Sequence, residues 1–122
     1  MSQLTGPVIV VDDDAAVRNS LKFALELEGL SVRLFKDGSE LLAATDLPRN
    51  GCFVIDYNMP GMTGIELVTK LRQRQIDSPA ILIASRVSDD LHGRAAESGF
   101  RRVLEKPLHD SDLLDSIHAA LA

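Results

Sequence analysis

Along the chain, short blocks of unbroken apolar residues alternate with longer stretches in which apolar positions recur every three or four residues. Three blocks are continuous: VIVV (8–11), CFVI (52–55) and AILI (80–83). Continuous rather than alternating hydrophobicity marks strands covered on both faces, as in a parallel sheet. SVRLF (31–35) instead alternates, with Arg33 opposed to Val32 and Leu34, the pattern of a strand at a sheet edge. RRVLE (101–105) is the weakest of the five patterns and reads as the other edge.

Helical spacing fills the gaps. Val17, Leu21, Ala24 and Leu25 line one face, and Gly29 followed by Leu30 gives a C-terminal stop. A short helix opens at Asp37 with Glu40 and runs through Leu41 and Leu42. Leu67, Val68 and Leu71 mark another, and Thr63 with Glu66 three residues on forms a capping box. The stretch from Ser88 to Ser98 is the least regular helix, because Gly93 inside it costs about 1 kcal/mol relative to Ala; it is expected to be mobile. Leu113, Leu114, Ile117 and Leu121 define the last helix, with Asp110 as its expected cap. Strand followed by helix, five times over with right-handed crossovers, predicts a three-layer α/β sandwich with one domain occupying residues 1–122.

Bulk properties remove several function classes. A net charge of −5 argues against nucleic acid as a direct partner, since such binding needs a basic face to neutralise phosphates. The single Cys52 lies inside an apolar run and reads as a buried structural thiol; with no partner for a disulfide, a reducing cytoplasm fits best. The opening MSQLTGP has no basic flank, and no apolar run approaches a membrane span.

In open α/β sheets the ligand site lies beyond the carboxyl ends of the strands. Those ends carry Asp12, Asp13 and Asp14 after the first block, Asp56 after the third, Ala84 and Ser85 after the fourth, and Glu105, Lys106 and Pro107 after the fifth. Three or more carboxylates are thereby expected to meet beside one lysine, a cluster that protonation or a cation must relieve. Oxygen donors without His or Cys suit Mg²⁺, and Mg²⁺ beside a lone lysine describes a phosphoryl site in which a carboxylate can be the nucleophile. Asp14 directly precedes a helical pattern and reads more simply as an N-cap than as a third ligand. His92, His109 and His118 share no metal-ligand spacing and read as surface residues, which leaves a phosphodonor histidine to another protein.

With VVDDD, VIDYNMPGMTGIEL and EKPL in that order, the chain resembles the receiver domains of two-component response regulators, chemotaxis-regulator-like, from about Val8 to Leu121. The resemblance implies a flavodoxin-like (βα)5 fold with strand order 2-1-3-4-5. It implies Asp56 as phosphoacceptor, Asp13 as a direct Mg²⁺ ligand, Asp12 as a partner acting through water, and Asn58 as a ligand through its backbone carbonyl. Lys106 is implied as the phosphate-binding lysine, with Lys106-Pro107 a cis peptide. Implied partners are a sensor histidine kinase or phosphotransfer protein, and an output partner or second copy on the face between the fourth and fifth helices.

The sequence departs from this family at its switch. Counting back from Lys106-Pro107, Ala84 stands where the family carries a Thr or Ser, and Val103 where many members carry a Tyr or Phe. Ser85 can substitute for the missing hydroxyl only if the fourth strand carries a one-residue irregularity, and Arg86 is a second unusual neighbour. The leading rival reading is therefore a receiver-fold interaction module that works regardless of phosphorylation. An Mg²⁺-dependent phosphatase with an aspartyl intermediate is a third, lacking an evident general acid and a substrate-covering domain.

Overall fold

The computed structural model describes residues 6–48 and 50–121, with Asp110 given by its backbone alone. The expected capping by the Asp110 side chain and the opening stretch through Thr5 lie outside the described residues. Ten elements alternate strictly: β1 (Val8–Val11), α1 (Ala15–Leu27), β2 (Val32–Phe35), α2 (Gly38–Ala43), β3 (Cys52–Asp56), α3 (Gly64–Gln73), β4 (Ala80–Ala84), α4 (Asp89–Glu97), β5 (Phe100–Glu105) and α5 (Asp110–Leu121). All strand pairs are parallel, in the order β2-β1-β3-β4-β5. This is the expected doubly wound α/β sheet, with β2 and β5 at its edges.

Both faces of the sheet are covered, which is why its central strands read as unbroken apolar runs. Ile9, Val11, Phe53, Ile55, Leu82 and Ala84 pack with Leu41 of α2, Leu67 and Leu71 of α3 and Leu91 of α4. The alternate residues Val8, Val10, Cys52, Val54, Ile81 and Ile83 pack with Leu21 and Leu25 of α1 and Leu113 and Ile117 of α5. Each large side chain fully buried this way contributes about 1.5–3 kcal/mol, and the two layers together clamp the strand ends. Cys52 is one of them: burial pushes its thiol up to about 12, so it stays a protonated packing group.

Local chemistry starts the helices where the sequence places the starts. The Asp14 carboxylate accepts the N–H groups of Ala16 and Val17, Asp37 accepts Glu40 N–H, and Ser88 accepts Leu91 N–H. Thr63 and Glu66 form the reciprocal capping box. Helix α1 ends at Gly29, whose φ of +83° is the left-handed conformation of a helix stop, with Leu30 N–H returning to Leu25 O at 3.2 Å. Gly93 lies in α4 with nothing near its missing Cβ.

One feature of the sheet has no counterpart in the sequence pattern. Ala80 pairs with Phe100 but Ile81 pairs with Arg102, so Arg101 is surplus at the start of β5. From there Leu82 pairs with Val103 and Ala84 with Glu105 in regular register.

Candidate functional site

Parallel strands bring the ends of β1, β3 and β5 to one edge of the sheet. Asp12 follows β1, Asp56 is the last residue of β3, and Lys106 follows β5. One carboxylate oxygen from each of Asp12, Asp13 and Asp56 lies within 4.8 Å of the others. Asp12 and Asp56 are only 1% and 3% exposed, whereas Asp13 faces solvent. The cluster thus has a buried floor and an open rim.

Lys106 Nζ reaches Asp12 Oδ2 at 3.3 Å and Asp56 Oδ1 at 3.5 Å. The first contact is a hydrogen bond; the second is an ion-pair distance that leaves Asp56 Oδ1 buried without a hydrogen-bond partner. Asp12 is more fully engaged, because its Oδ1 also accepts Asp14 N–H at 2.9 Å. One ammonium in contact with two of the three carboxylates leaves net negative charge in the pocket. Burial, reinforced by the negative charge of Asp12 and opposed by Lys106, pushes the Asp56 carboxyl up to about 6. For Lys106, burial alone works against the charged form, but Asp56 and Asp12 outweigh it and hold the ammonium above the ordinary lysine range.

The donor set fits Mg²⁺. It offers only oxygens, it carries excess negative charge, and one buried carboxylate oxygen has no hydrogen to accept.

Backbone packing fixes the acceptor strand. Tyr57 N–H donates to Ile83 O at 2.7 Å and Gly64 N–H to Tyr57 O at 3.0 Å, so the turn after Asp56 is tied to both β4 and α3. A Cβ on Gly64 would stand 2.6 Å from Asp56 O and 2.9 Å from Leu82; only glycine lets α3 begin this close to the site. Gly61 supplies a positive φ of +85° within the same turn, and Asn58 is exposed there.

Other expected residues divide. Asp14 caps α1 and does not join the cluster. Glu105, which the strand-end rule grouped with the other carboxylates, instead accepts Val87 N–H at 2.8 Å. Ala84 is fully buried at the end of β4, and Val103 is partly buried against the same core layer. Ser85 and Arg86 are exposed beyond the strand. The only register shift between β4 and β5 lies at Ala80/Ile81, the far end from the site, so the condition for Ser85 to enter the strand register is not met. His92 and His109 are exposed and His118 half-buried, and the Lys106-Pro107 bond is cis. Sequence reasoning missed Arg18, whose Nη1 donates to Asp12 O at 2.6 Å; an arginine one turn into the helix that follows the acidic triplet was the available signal.

Comparison with known proteins agrees with this geometry. The family model described as "Response regulator receiver domain" matches residues 8–118. The chain belongs to that family. Among relatives, the transcriptional regulatory protein FixJ of Bradyrhizobium diazoefficiens is 37% identical over 116 residues, covering 95% of this chain and 57% of that protein. The transcriptional regulatory protein TdiR of Thauera aromatica is 36% identical over 94% of this chain and 51% of its own length. This receiver domain therefore spans about half the length of the curated relatives it matches. Among solved structures, FixJ-N superimposes with a TM-score of 0.87 at 33% identity, covering 96% of this chain and 94% of that one. A CheY-like receiver domain protein from Methanospirillum hungatei JF-1 gives 0.86 at 27% identity, covering 95% and 93%. No helix among the described residues is long and apolar enough to cross a membrane.

Proposed function

We propose that this receiver domain takes a phosphoryl group onto Asp56 from the phosphohistidine of a sensor histidine kinase or phosphotransfer protein. The observation that carries this reading is the buried Oδ1 of Asp56, without a hydrogen-bond donor and 3.5 Å from the Lys106 ammonium, inside a three-carboxylate cluster. An Asp56 oxygen attacks phosphorus, the P–N bond to the donor imidazole breaks, and the imidazole nitrogen keeps the electron pair. The strand end holds the attacking oxygen in fixed position. Lys106 faces the charge that the arriving phosphoryl group brings.

Asp12, Asp13, Asp56 and the backbone carbonyl of Asn58 are the residues that would hold Mg²⁺. When bound, the cation neutralises phosphoryl oxygens and relieves the repulsion among the carboxylates. The carboxylate raised to about 6 is a group whose ionised form needs such help. The domain occupies residues 1–122, works in the cytoplasm, and passes its state to an output partner or a second copy on the α4 to α5 face. It turns over no substrate beyond its own acyl phosphate.

The phosphorylation-independent module draws support only from Ala84 and Val103, which alter the response to the phosphoryl group and leave the acceptor cluster intact. The discriminating experiment is incubation with Mg²⁺ and a small phosphodonor, followed by intact mass measurement. Wild type is expected to gain one phosphoryl mass and Asp56→Asn none. Equal labelling of both proteins would move the acceptor elsewhere, and no labelling of either would favour the module.

A further inference from the structure

The three carboxylates of the cluster are held very unequally. Asp56 belongs to a central strand. Asp12 has its N–H bonded to Phe35 O at 3.2 Å and its carboxylate bonded to Asp14 N–H and Lys106. Asp13 has neither advantage: it is exposed, lies outside any strand or helix, and its carboxylate has no hydrogen-bond donor among the described residues. Its place in the cluster depends on the backbone that carries it.

That backbone is clamped from α1. Arg18 Nη1 donates to the carbonyl oxygen of Asp12 at 2.6 Å, a short bond from a charged donor and among the stronger kinds in a protein. The carbonyl of Asp12 and the N–H of Asp13 belong to one planar peptide unit, so holding that oxygen fixes the plane from which the Asp13 side chain departs. Arg18 is itself anchored, because its N–H closes the first turn of α1 on Asp14 O at 3.0 Å. The helix capped by Asp14 thus reaches back over its own cap to hold the residue before Asp13.

We propose that Arg18 is a positioning residue of the metal site, fixing the Asp12–Asp13 peptide so that the Asp13 carboxylate stands ready for the cation. This rests on the Mg²⁺ reading given above. It makes a prediction opposite in sign to simple electrostatics. A positive side chain near a cation site repels the cation, so removing its charge would tighten Mg²⁺ binding if charge were its whole contribution. Loss of an outer contact that orients the ligands instead weakens it, by about tenfold at the lower end of such effects.

The test uses Arg18→Met, which keeps most of the aliphatic stem but has no donor, and Arg18→Lys, which keeps a single charged donor. Each is titrated with MgCl₂ by amide NMR at a temperature where the protein is folded, and amide exchange is measured first without metal. Expected for Arg18→Met are an Mg²⁺ Kd raised about tenfold and faster metal-free exchange at Asp14, whose N–H is bonded to Asp12 Oδ1, but not in β1, with Arg18→Lys in between. Arg74→Met is the control: Arg74 Nη1 holds Leu42 O at 2.7 Å far from the cluster, and its loss is expected to lower stability without moving the Kd. A tighter or unchanged Kd in Arg18→Met, or an equal weakening in Arg74→Met, would overturn the proposal. Absence of Mg²⁺ binding in wild type would instead overturn the metal reading on which it rests.

Discussion

Glu105 accepts the backbone N–H of Val87 at 2.8 Å, so the residue paired with Ala84 across the sheet also ties down the loop that leaves it. The loop carrying Ser85 and Arg86 is therefore held from β5 by a carboxylate, independently of any hydroxyl at position 84. Glu105→Ala removes the acceptor. We expect faster amide exchange at Val87 and its neighbours, with a stability loss of about 1 kcal/mol or less because the bond is exposed. Unchanged exchange at Val87 would show that the loop is held by other contacts.

Metal-free stability is expected to fall with rising pH through the range where Asp56 ionises. Its folded-state value of about 6 exceeds the ordinary 3.8, so between these values the native state binds the proton that the unfolded state has released. Stability from this group is complete below about pH 4 and lost as pH rises through 6, by about 3 kcal/mol in all. Asp56→Asn removes that slope and is expected to be the more stable protein at pH 7. Urea unfolding of both proteins from pH 4 to 8 without Mg²⁺ checks this; parallel curves would count against it.

Gly64→Ala is expected to destabilise the fold by about 1–3 kcal/mol, since its Cβ would press on the Asp56 carbonyl at 2.6 Å. The displaced atom is backbone of the acceptor residue itself, so phosphoryl uptake should fall along with the denaturation midpoint. Gly93→Ala is the contrast: open space surrounds that position, and α4 should gain up to about 1 kcal/mol of stability. Equal effects of the two changes would refute the steric account.

With Ala84 buried and Ser85 exposed outside the strand register, Ser85→Ala should leave the response to a beryllofluoride mimic unchanged. Amide shifts are expected in the Asp56 loop and residues 84–99. Changes spreading through Val103 and α5, or their loss in Ser85→Ala, would show that a hydroxyl-driven switch operates after all.

What was legible in the sequence is what local chemistry decides. Two-sided burial makes VIVV, CFVI and AILI unbroken, and helix starts at Asp14, Asp37, Thr63 and Ser88 follow from side chains bonding N–H groups two or three residues away. The cluster followed from topology, because parallel strands must deliver their carboxyl ends to one edge. Less legible were the facts that depend on partners distant in sequence. Asp12 and Asp13 are adjacent and identical in type, yet one is buried and the other exposed, a difference set by which face of the turn meets Lys106, 94 residues from Asp12. Glu105 reads as one more strand-end carboxylate until the loop bearing Val87, 18 residues away, folds back on it.

The surplus Arg101 does not set the aim of the lysine. Phe100 and Val103 pack on the same side of the sheet although they are three positions apart, an odd interval that uninterrupted pleating would send to opposite sides. The bulge leaves Arg101 out of the alternation, which resumes unchanged at Arg102. Excising Arg101 would leave Phe100, Arg102 and Val103 opposite Ala80, Ile81 and Leu82 in plain alternation, so Val103, Leu104 and Lys106 would keep the sides they have now. The aim of the ammonium is thus fixed by the regular pairing of Arg102 to Glu105 and not by the residue count before it, and a strand shortened by Arg101 should still present Lys106 to Asp12 and Asp56.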